Sequence, residues 1–192
     1  LRSLDLGELA DRRPNEMSGG QQQRIALGRC MVYEPSIILM DEPLGALDKK
    51  LRDQMQLEIK QLHTRLGITV LYVTHDQEEA MVMSDKICLL NDARIEQVGT
   101  PADLYFRPLS TFAASFLGES NMFPVEITDT RDDQHVMKIG TGTTLRSPKR
   151  DGIKSGNKAF AMVRPESVNL VSASDSAENV IEGKLKETIM AG

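Results

Sequence analysis

The chain has 192 residues, of which 40% are hydrophobic and 27% charged, and this composition predicts a globular protein of one or two domains rather than a disordered chain. The formal net charge of −5 argues against a general nucleic-acid-binding surface, which needs an excess of Lys and Arg. No run approaches the roughly 20 apolar residues that cross a bilayer, and no signal peptide is visible. The chain starts at Leu1 rather than Met, so we expect it to be a segment of a longer protein.

The first part of the chain predicts alternating helices and strands. Ser18 is a favourable N-cap for a helix over about 20–33, and SIILM (36–40) and ITVLYVT (68–74) are typical of buried parallel strands. Between them, apolar residues recur every three or four positions and predict one long helix that Gly67 ends: Leu47, Leu51, Met55, Ile59, Leu62 and Leu66. Residues 76–83 predict a short helix.

Further along, KICLL and RIEQV flank NDA and predict a hairpin, and Thr100 and Ser110 each precede a short predicted helix. After about Asn121 the sequence pattern changes to short β-type runs separated by turn residues: FPVEITDT, HVMKIG, KAFAMV, SVNLV and VIEGKLKETIM. This change predicts a domain boundary near 118–121, with an α/β domain over 1–118 and a β-rich domain over 119–192.

Cys30 and Cys88 lie in apolar runs, so we expect two buried, reduced thiols.

Polar residues follow both predicted parallel strands. Asp41 and Glu42 end the first strand, and His75 follows the second, so all three are expected at the carboxyl edge of a parallel sheet, where α/β proteins bind ligands. One carboxylate can hold a hard cation such as Mg²⁺, and the other can act as a base for water. Taken singly, these residues also fit a polar strand end and a surface histidine, and Asp48 fits a helix N-cap.

The segment Ser18-Gly19-Gly20-Gln21 precedes a predicted helix. A helix N-terminus has unpaired N–H groups and the positive end of a dipole, and glycine lets an anion approach the backbone closely. The segment therefore fits a phosphate contact, although a flexible loop with a serine cap is the simpler alternative for this segment alone.

Taken together and in order, MSGGQ, IILMDE, GALD and THD resemble four motifs of the ATP-binding-cassette (ABC) ATPases, over about 1–118. They are similar to the signature motif, the Walker B strand with its following glutamate, the D-loop (usually SALD) and the H-loop. The resemblance implies an α/β fold, the C-terminal part of a P-loop NTPase cassette. It also implies ATP and Mg²⁺ as cofactors.

The resemblance implies a role for each matching residue. Glu42 would be the general base, His75 would contact the terminal phosphate of ATP, and Asp41 would hold Mg²⁺ through water. Asp48 would couple two protomers at the nucleotide, and Ser18, Gly19, Gly20 and Gln21 would contact a nucleotide held mainly by the second protomer.

The second region resembles the OB-like TOBE regulatory domain of importer ATPases in FLGESNMF (116–123), AMVRPESVNL (161–170) and EGKLKETIMAG (182–192). We expect both domains to be truncated in this chain. FLGESN is more similar to polyamine (spermidine/putrescine) importers than to sugar importers, and ferric-iron, sulfate and sugar importers remain alternatives.

The resemblance implies an energising ATPase subunit that forms a homodimer and works with integral-membrane permease subunits, and indirectly with a periplasmic or extracellular solute-binding protein. It would be peripheral on the cytoplasmic face of the inner membrane, with no nucleic acid involved. Two other classes stay open: a soluble, non-transport ABC ATPase, and a solute-sensing module on an inactive cassette.

The phosphate-binding pattern G-x-x-x-x-G-K-[ST] does not occur in these 192 residues. We therefore predict that the 192-residue chain alone shows neither hydrolysis nor tight ATP binding in isothermal titration calorimetry. Micromolar binding of ATP would contradict this prediction.

Overall fold

The computed structural model describes residues 7–140, 142–172 and 177–188, and the chain divides into two compact units at Leu109/Ser110. The division falls nine residues before the predicted domain boundary at 118/119. Hydrogen bonding explains why the short helix that starts at Thr111 groups with the second unit, because the Arg164 guanidinium donates to the carbonyl of Ala114 in that helix (3.1 Å). The assignment of 1–118 and 119–192 to two named domains stays a prediction.

The first unit alternates helices and strands, as the sequence predicts. Its elements are α1 (Gly19–Met31), β1 (Ile37–Asp41), α2 (Lys49–Leu66), β2 (Thr69–Val73), α3 (Gln77–Met83), β3 (Ile87–Asn91), β4 (Arg94–Gly99) and α4 (Pro101–Phe106). Short 3₁₀ turns at Gly7–Leu9 and Pro14–Glu16 precede α1. The sequence also predicts a loose amphipathic pattern at Leu1, Leu4, Leu6 and Leu9, of which the first three positions lie outside the described residues and Leu9 is buried.

Strands β1 and β2 pair in parallel, with Ile37 opposite Thr69 and Asp41 opposite Val73. One face of this pair packs on α1 and α2, and the core there contains Ile38, Met40, Leu44, Leu47, Met55 and Ile59. The prediction that both strands are fully buried is wrong, because their side chains alternate between the core and an exposed face. The exposed apolar residues on these strands are Ile37, Leu39, Leu71 and Val73.

Helix α2 has clear boundaries and one buried face. Asp48 caps its first turn by accepting a hydrogen bond from the Leu51 amide (3.0 Å), and Gly67 ends the helix in the left-handed conformation at φ 63°. Met55, Ile59 and Leu62 are buried on the predicted apolar stripe. The helix thus spans the crossover between the two parallel strands.

The remaining predicted elements of the first unit are present too. Strands β3 and β4 form an antiparallel hairpin, and both Asp92 and Ala93 at its turn have positive φ, the geometry of a two-residue hairpin turn. Thr100 caps α4 reciprocally with Asp103, and Pro101 occupies the first helical position.

The second unit contains α5 (Thr111–Phe116) and an antiparallel sheet of β5 (Asn121–Arg131), β6 (Gln134–Ile139), β7 (Thr144–Pro148) and β8 (Lys158–Val163). The strand order is β7-β6-β5-β8, and its core residues are Val125, Ile127, Met137, Ile139 and Leu145. Three predicted runs become β5, β6 and β8. Strand β7 was missed, because only Leu145 of its five residues is both apolar and buried.

Two of the predicted β-type runs are wrong. Residues 167–171 form no strand, since Ser167 ends a 3₁₀ turn at Pro165–Ser167 and the residues after it are irregular. Residues 180–188, the described part of the last run, form no strand either. Leu170 and Leu185 are strongly exposed, so these segments lack the packed neighbours that would hold a strand.

The expectation of two buried thiols is also wrong, since Cys30 and Cys88 are free and exposed. Cys88 alternates with the buried Ile87 and Leu89 on β3, so it lies on the opposite face of that strand. Cys30 lies in the last turn of α1.

Within the described part of the chain, no helix combines the length and the apolar character that a membrane span requires.

The buried stripe of α2 leads to a stability prediction. Ile59 is 3% exposed in the core and Leu57, on the same helix, is 60% exposed. We expect Ile59→Ala to lower the free energy of unfolding by about 2–5 kcal/mol, through lost burial and a cavity. Leu57→Ala, the matched control, should change it by less than about 0.5 kcal/mol. Urea denaturation followed by circular dichroism measures both, and equal effects would contradict the assigned helix face.

Candidate active site at the strand edge

The parallel pairing of β1 and β2 brings two chain reversals together at one sheet edge. Asp41 is the last residue of β1, and the amide of Glu42 extends the pairing by donating to the Val73 carbonyl (2.9 Å). His75 follows β2 by two residues. The sequence-based expectation that Glu42 and His75 meet at this edge agrees with the structure.

Glu42 and His75 are in direct contact. Their Oε1 and Nδ1 atoms are 2.8 Å apart, and since a carboxylate only accepts hydrogen bonds, the imidazole donates through Nδ1. Both side chains are open to solvent, Glu42 at 51% and His75 at 78% exposure. Glu42 also has φ 43°, a left-handed conformation that non-glycine residues seldom adopt and that is often found at functional sites.

The contact changes the acid–base behaviour of His75. The hydrogen bond that the imidazole donates to Glu42 raises the pKa of His75 above its usual value, and the Glu42 charge adds to the effect. Smaller upward contributions to this pKa come from the charges of Asp76 and Glu79. Because both residues are exposed, the pair can exchange protons with water or with a bound substrate.

Asp41, the last residue of β1 and the sequence neighbour of Glu42, is exposed. No group of three or more His, Cys, Asp or Glu that could hold a metal occurs among the described residues. A single carboxylate still suits Mg²⁺, which commonly binds one or two protein carboxylates and completes its octahedron with water and substrate phosphates.

The segment Ser18–Gln21, which resembles the signature motif and is called the signature segment below, contains the N-cap and the first residues of α1. The Ser18 hydroxyl accepts from the Gln21 amide (3.4 Å), and the Gln21 side-chain oxygen accepts from the Ser18 amide (2.9 Å). Ser18 is therefore the N-cap, as the sequence predicts, and Gln21 completes a reciprocal capping box.

The two glycines of this segment have a structural reason that the sequence does not show. A Cβ atom on Gly20 would lie 2.9 Å from Cδ1 of Leu51, and one on Gly19 would lie 3.3 Å from Cδ2 of Leu47. Both glycines thus let the start of α1 pack closely against Leu47 and α2. A phosphate contact by the same glycines stays a prediction.

A second link joins α1 to the Glu42 loop. The side-chain amide of Gln23 donates to the carbonyl of Pro43, the residue that follows Glu42. The sequence analysis did not single out Gln23, because an amide inside a polar helix face gives no signal of its partner. Asp48 lies in the same region as the N-cap of α2 and follows the buried Leu47.

Behind His75 lies a hydrogen-bonded group that the sequence analysis also missed. Glu79, 2% exposed, accepts from Tyr72 Oη and Thr74 Oγ1, both at 2.9 Å. Burial, and then the contact with Glu79, raise the pKa of the Tyr72 phenol.

Arg52 forms an ion pair with Asp76, the residue after His75, at 3.0 Å. A cavity of about 490 Å³ adjoins these residues and is lined in part by Arg52, His75 and Asp76.

Comparison with known proteins gives a family match for the first part of the chain. Residues 1–45, which contain Ser18–Gln21, Asp41 and Glu42, match the model of the family described as ABC transporter. Asp48 and His75 lie beyond that match, in a part of the chain to which the relatives described next also align.

Several curated relatives align to the whole of this chain and carry a more specific name than the family model. The chain is 43% identical over 199 residues to the spermidine/putrescine import ATP-binding protein PotA of Trichodesmium erythraeum, covering all of this chain and 52% of that protein. The proteins of the same name from Photobacterium profundum and Vibrio cholerae are each 42% identical, with all of this chain and 52% and 51% of those proteins covered. The chain spans about half the length of these relatives. The resemblance to ABC importer ATP-binding subunits, and to the spermidine/putrescine group, is therefore confirmed.

The Glu42–His75 contact generates a titration prediction. Glu42→Gln removes the acceptor charge, so the pKa of His75 should fall toward its ordinary value, as followed by NMR titration of the imidazole. Glu78→Gln removes a charge that does not contribute to this shift and serves as control. An unchanged His75 midpoint in Glu42→Gln would show that the two side chains are not paired in solution.

Proposed function

We propose that this chain is part of the ATP-hydrolysing subunit of an ABC importer, in which the strand edge carrying Glu42 and His75 is the catalytic site. The observation that carries the proposal is the 2.8 Å contact between a strained, exposed glutamate and a histidine at the ends of adjacent parallel strands. The family match over 1–45 supports ATP as the ligand of the same segment.

The proposed mechanism assigns proton transfer to Glu42. Its carboxylate accepts a proton from the water that attacks the terminal phosphorus of ATP, and the bond to the ADP oxygen breaks as the new P–O bond forms. His75 contacts Glu42 through Nδ1 and would donate to an oxygen of the terminal phosphate. Positioning and charge stabilisation account for most of the catalysis in such reactions.

Asp41 would hold Mg²⁺ through water, and the ion, when bound, neutralises charge on the phosphate oxygens. By the resemblance in Ser18–Gln21, the capped start of α1 would contact a nucleotide held mainly by a second copy of the protein. Asp48, at the start of α2, would communicate between the two copies.

We propose spermidine or putrescine as the transported solute, because the curated relatives carry that name over the full length of this chain. The partners would be a second copy, two integral-membrane permease subunits and, indirectly, a solute-binding protein. The protein would be peripheral on the cytoplasmic face of the inner membrane. Ferric iron, sulfate and sugars are the alternative solutes, and a pull-down of permease subunits separates a transport ATPase from a soluble one.

The second unit is proposed to be the TOBE-like regulatory domain. Its four antiparallel strands support a β-rich domain. Arg164, from the VRPE stretch, is buried and donates to the carbonyls of Ala114, Gly118 and Glu119, so this stretch ties the end of β8 to the segment between α5 and β5.

The proposed base is tested in the full-length protein. Glu42→Gln should slow ATP hydrolysis by about 10²–10⁴-fold while ATP binding is retained, because the amide keeps the shape of the side chain but cannot accept the proton. Phosphate release and nucleotide titration measure the two properties. Glu78→Gln is the matched control and should turn over at the normal rate. Near-normal hydrolysis in Glu42→Gln would remove Glu42 from the role of base.

A further inference from the structure

Arg52, in the first turn of α2, contacts the two loops on either side of it. One terminal guanidinium nitrogen donates to Asp76 Oδ2 (3.0 Å), and the other donates to the carbonyl of Leu47 (3.2 Å). Leu47 precedes Asp48, and Asp76 follows His75. A single planar side chain therefore joins the loop that carries Asp48 to the loop that carries His75.

Residues on both sides of His75 are fixed by the same group of hydrogen bonds. The Asp76 amide donates to Thr74 Oγ1 (3.0 Å), and Thr74 in turn donates to Glu79 (2.9 Å). Asp76 Oδ1 accepts from the Glu79 amide (3.1 Å) and caps α3. The backbone of His75 is thus held between Thr74 and Asp76, whereas its own side chain is largely exposed and contacts Glu42.

Arg52 brings a positive charge to this group of carboxylates. Glu79 is buried, and a buried carboxylate is costly without a nearby positive charge. The Nε atom of Arg52 is 3.7 Å from Glu79 Oε1, so the guanidinium faces both carboxylates of the group. Lysine could supply the charge but not the two hydrogen bonds that the planar guanidinium directs to Asp76 and Leu47 at once.

We propose that Arg52 is a positioning residue that holds His75 against Glu42 through Asp76 and ties this contact to the backbone before Asp48. The proposal rests on the proposed function only where it concerns catalysis, because the contact itself is a property of this chain. Arg52 touches neither nucleotide nor reacting atoms in this account and acts through His75.

Positioning and simple charge balance predict opposite results for His75. Loss of the Arg52 charge leaves Asp76 and Glu79 less neutralised, and these carboxylates raise the His75 pKa, so a purely electrostatic role predicts a further rise. Loss of positioning weakens the contact with Glu42, which is the main cause of the raised pKa, so a positioning role predicts a fall.

The first experiment is an NMR titration of His75 in the 192-residue chain. We expect Arg52→Lys, which keeps the charge, and Arg52→Gln, which removes it, both to lower the His75 midpoint. Arg24→Lys is the matched control, because Arg24 forms an ion pair of comparable exposure with Glu58 of the same helix α2. The midpoint should not move in this control.

Three results would overturn the proposal: an unchanged midpoint in Arg52→Lys, a raised midpoint in Arg52→Gln, or an equal fall in Arg24→Lys. Amide spectra of each variant verify folding, and the conservative Arg52→Lys variant decides the question if Arg52→Gln does not fold.

The second experiment measures steady-state hydrolysis by the full-length protein. Arg52→Lys should lower kcat by about 10- to 100-fold and leave KM for ATP unchanged, because a misplaced catalytic group affects the chemical step. Arg24→Lys should leave both constants unchanged. A raised KM with normal kcat would contradict the positioning role. If the wild-type protein hydrolyses no ATP, the proposed function fails, while the NMR titration still decides the Arg52–His75 coupling.

Discussion

The parallel hydrogen-bonded pairing of β1 with β2 is the constraint on which the candidate site depends. Parallel strands end at the same edge of a sheet, so Glu42 and His75, which are 33 positions apart, become neighbours. A slip of one residue in either strand would turn its side chains to the other face and separate Glu42 from His75. The register is held by the core residues Ile38 and Met40, which face α1 and α2.

Packing between α1 and α2 extends this constraint to the signature segment. Gly19 and Gly20 lie against Leu47 and Leu51, and Gln23 donates to the Pro43 carbonyl beside Glu42. The start of α1, which is proposed to serve another copy's nucleotide, is therefore packed close to the loop that carries Glu42, the proposed base. We expect a displacement at the start of α1 to shift the Glu42 loop as well, because closely packed protein interiors transmit small displacements.

The sequence predicted the elements that have strong local signals. The apolar stripe of α2, the caps at Ser18 and Thr100, the hairpin at Asp92–Ala93 and the shared edge of Asp41, Glu42 and His75 all follow from short-range patterns. Their agreement with the structure reflects consistency between local preference and tertiary packing.

Features that depend on distant partners could not be predicted in the same way. The Arg52 guanidinium donates to Asp76, 24 positions later, and the Gln23 amide donates to Pro43, 20 positions later. Neither residue type indicates in the sequence which distant residue it will contact. Burial failed as a prediction where one face of a strand lacks a packed layer, as at Leu39 and Leu71 and at Cys88 on β3. The runs at 167–171 and 180–188 have strand-like composition but no neighbouring strand among the described residues.

The most direct test is a crystal structure of the full-length protein with a non-hydrolysable ATP analogue. The account predicts that the Glu42–His75 contact persists and that both side chains face the terminal phosphate, with Ser18–Gln21 of a second copy on its other side. A terminal phosphate bound away from the ends of β1 and β2, or a histidine turned away from Glu42 with nucleotide present, would contradict it.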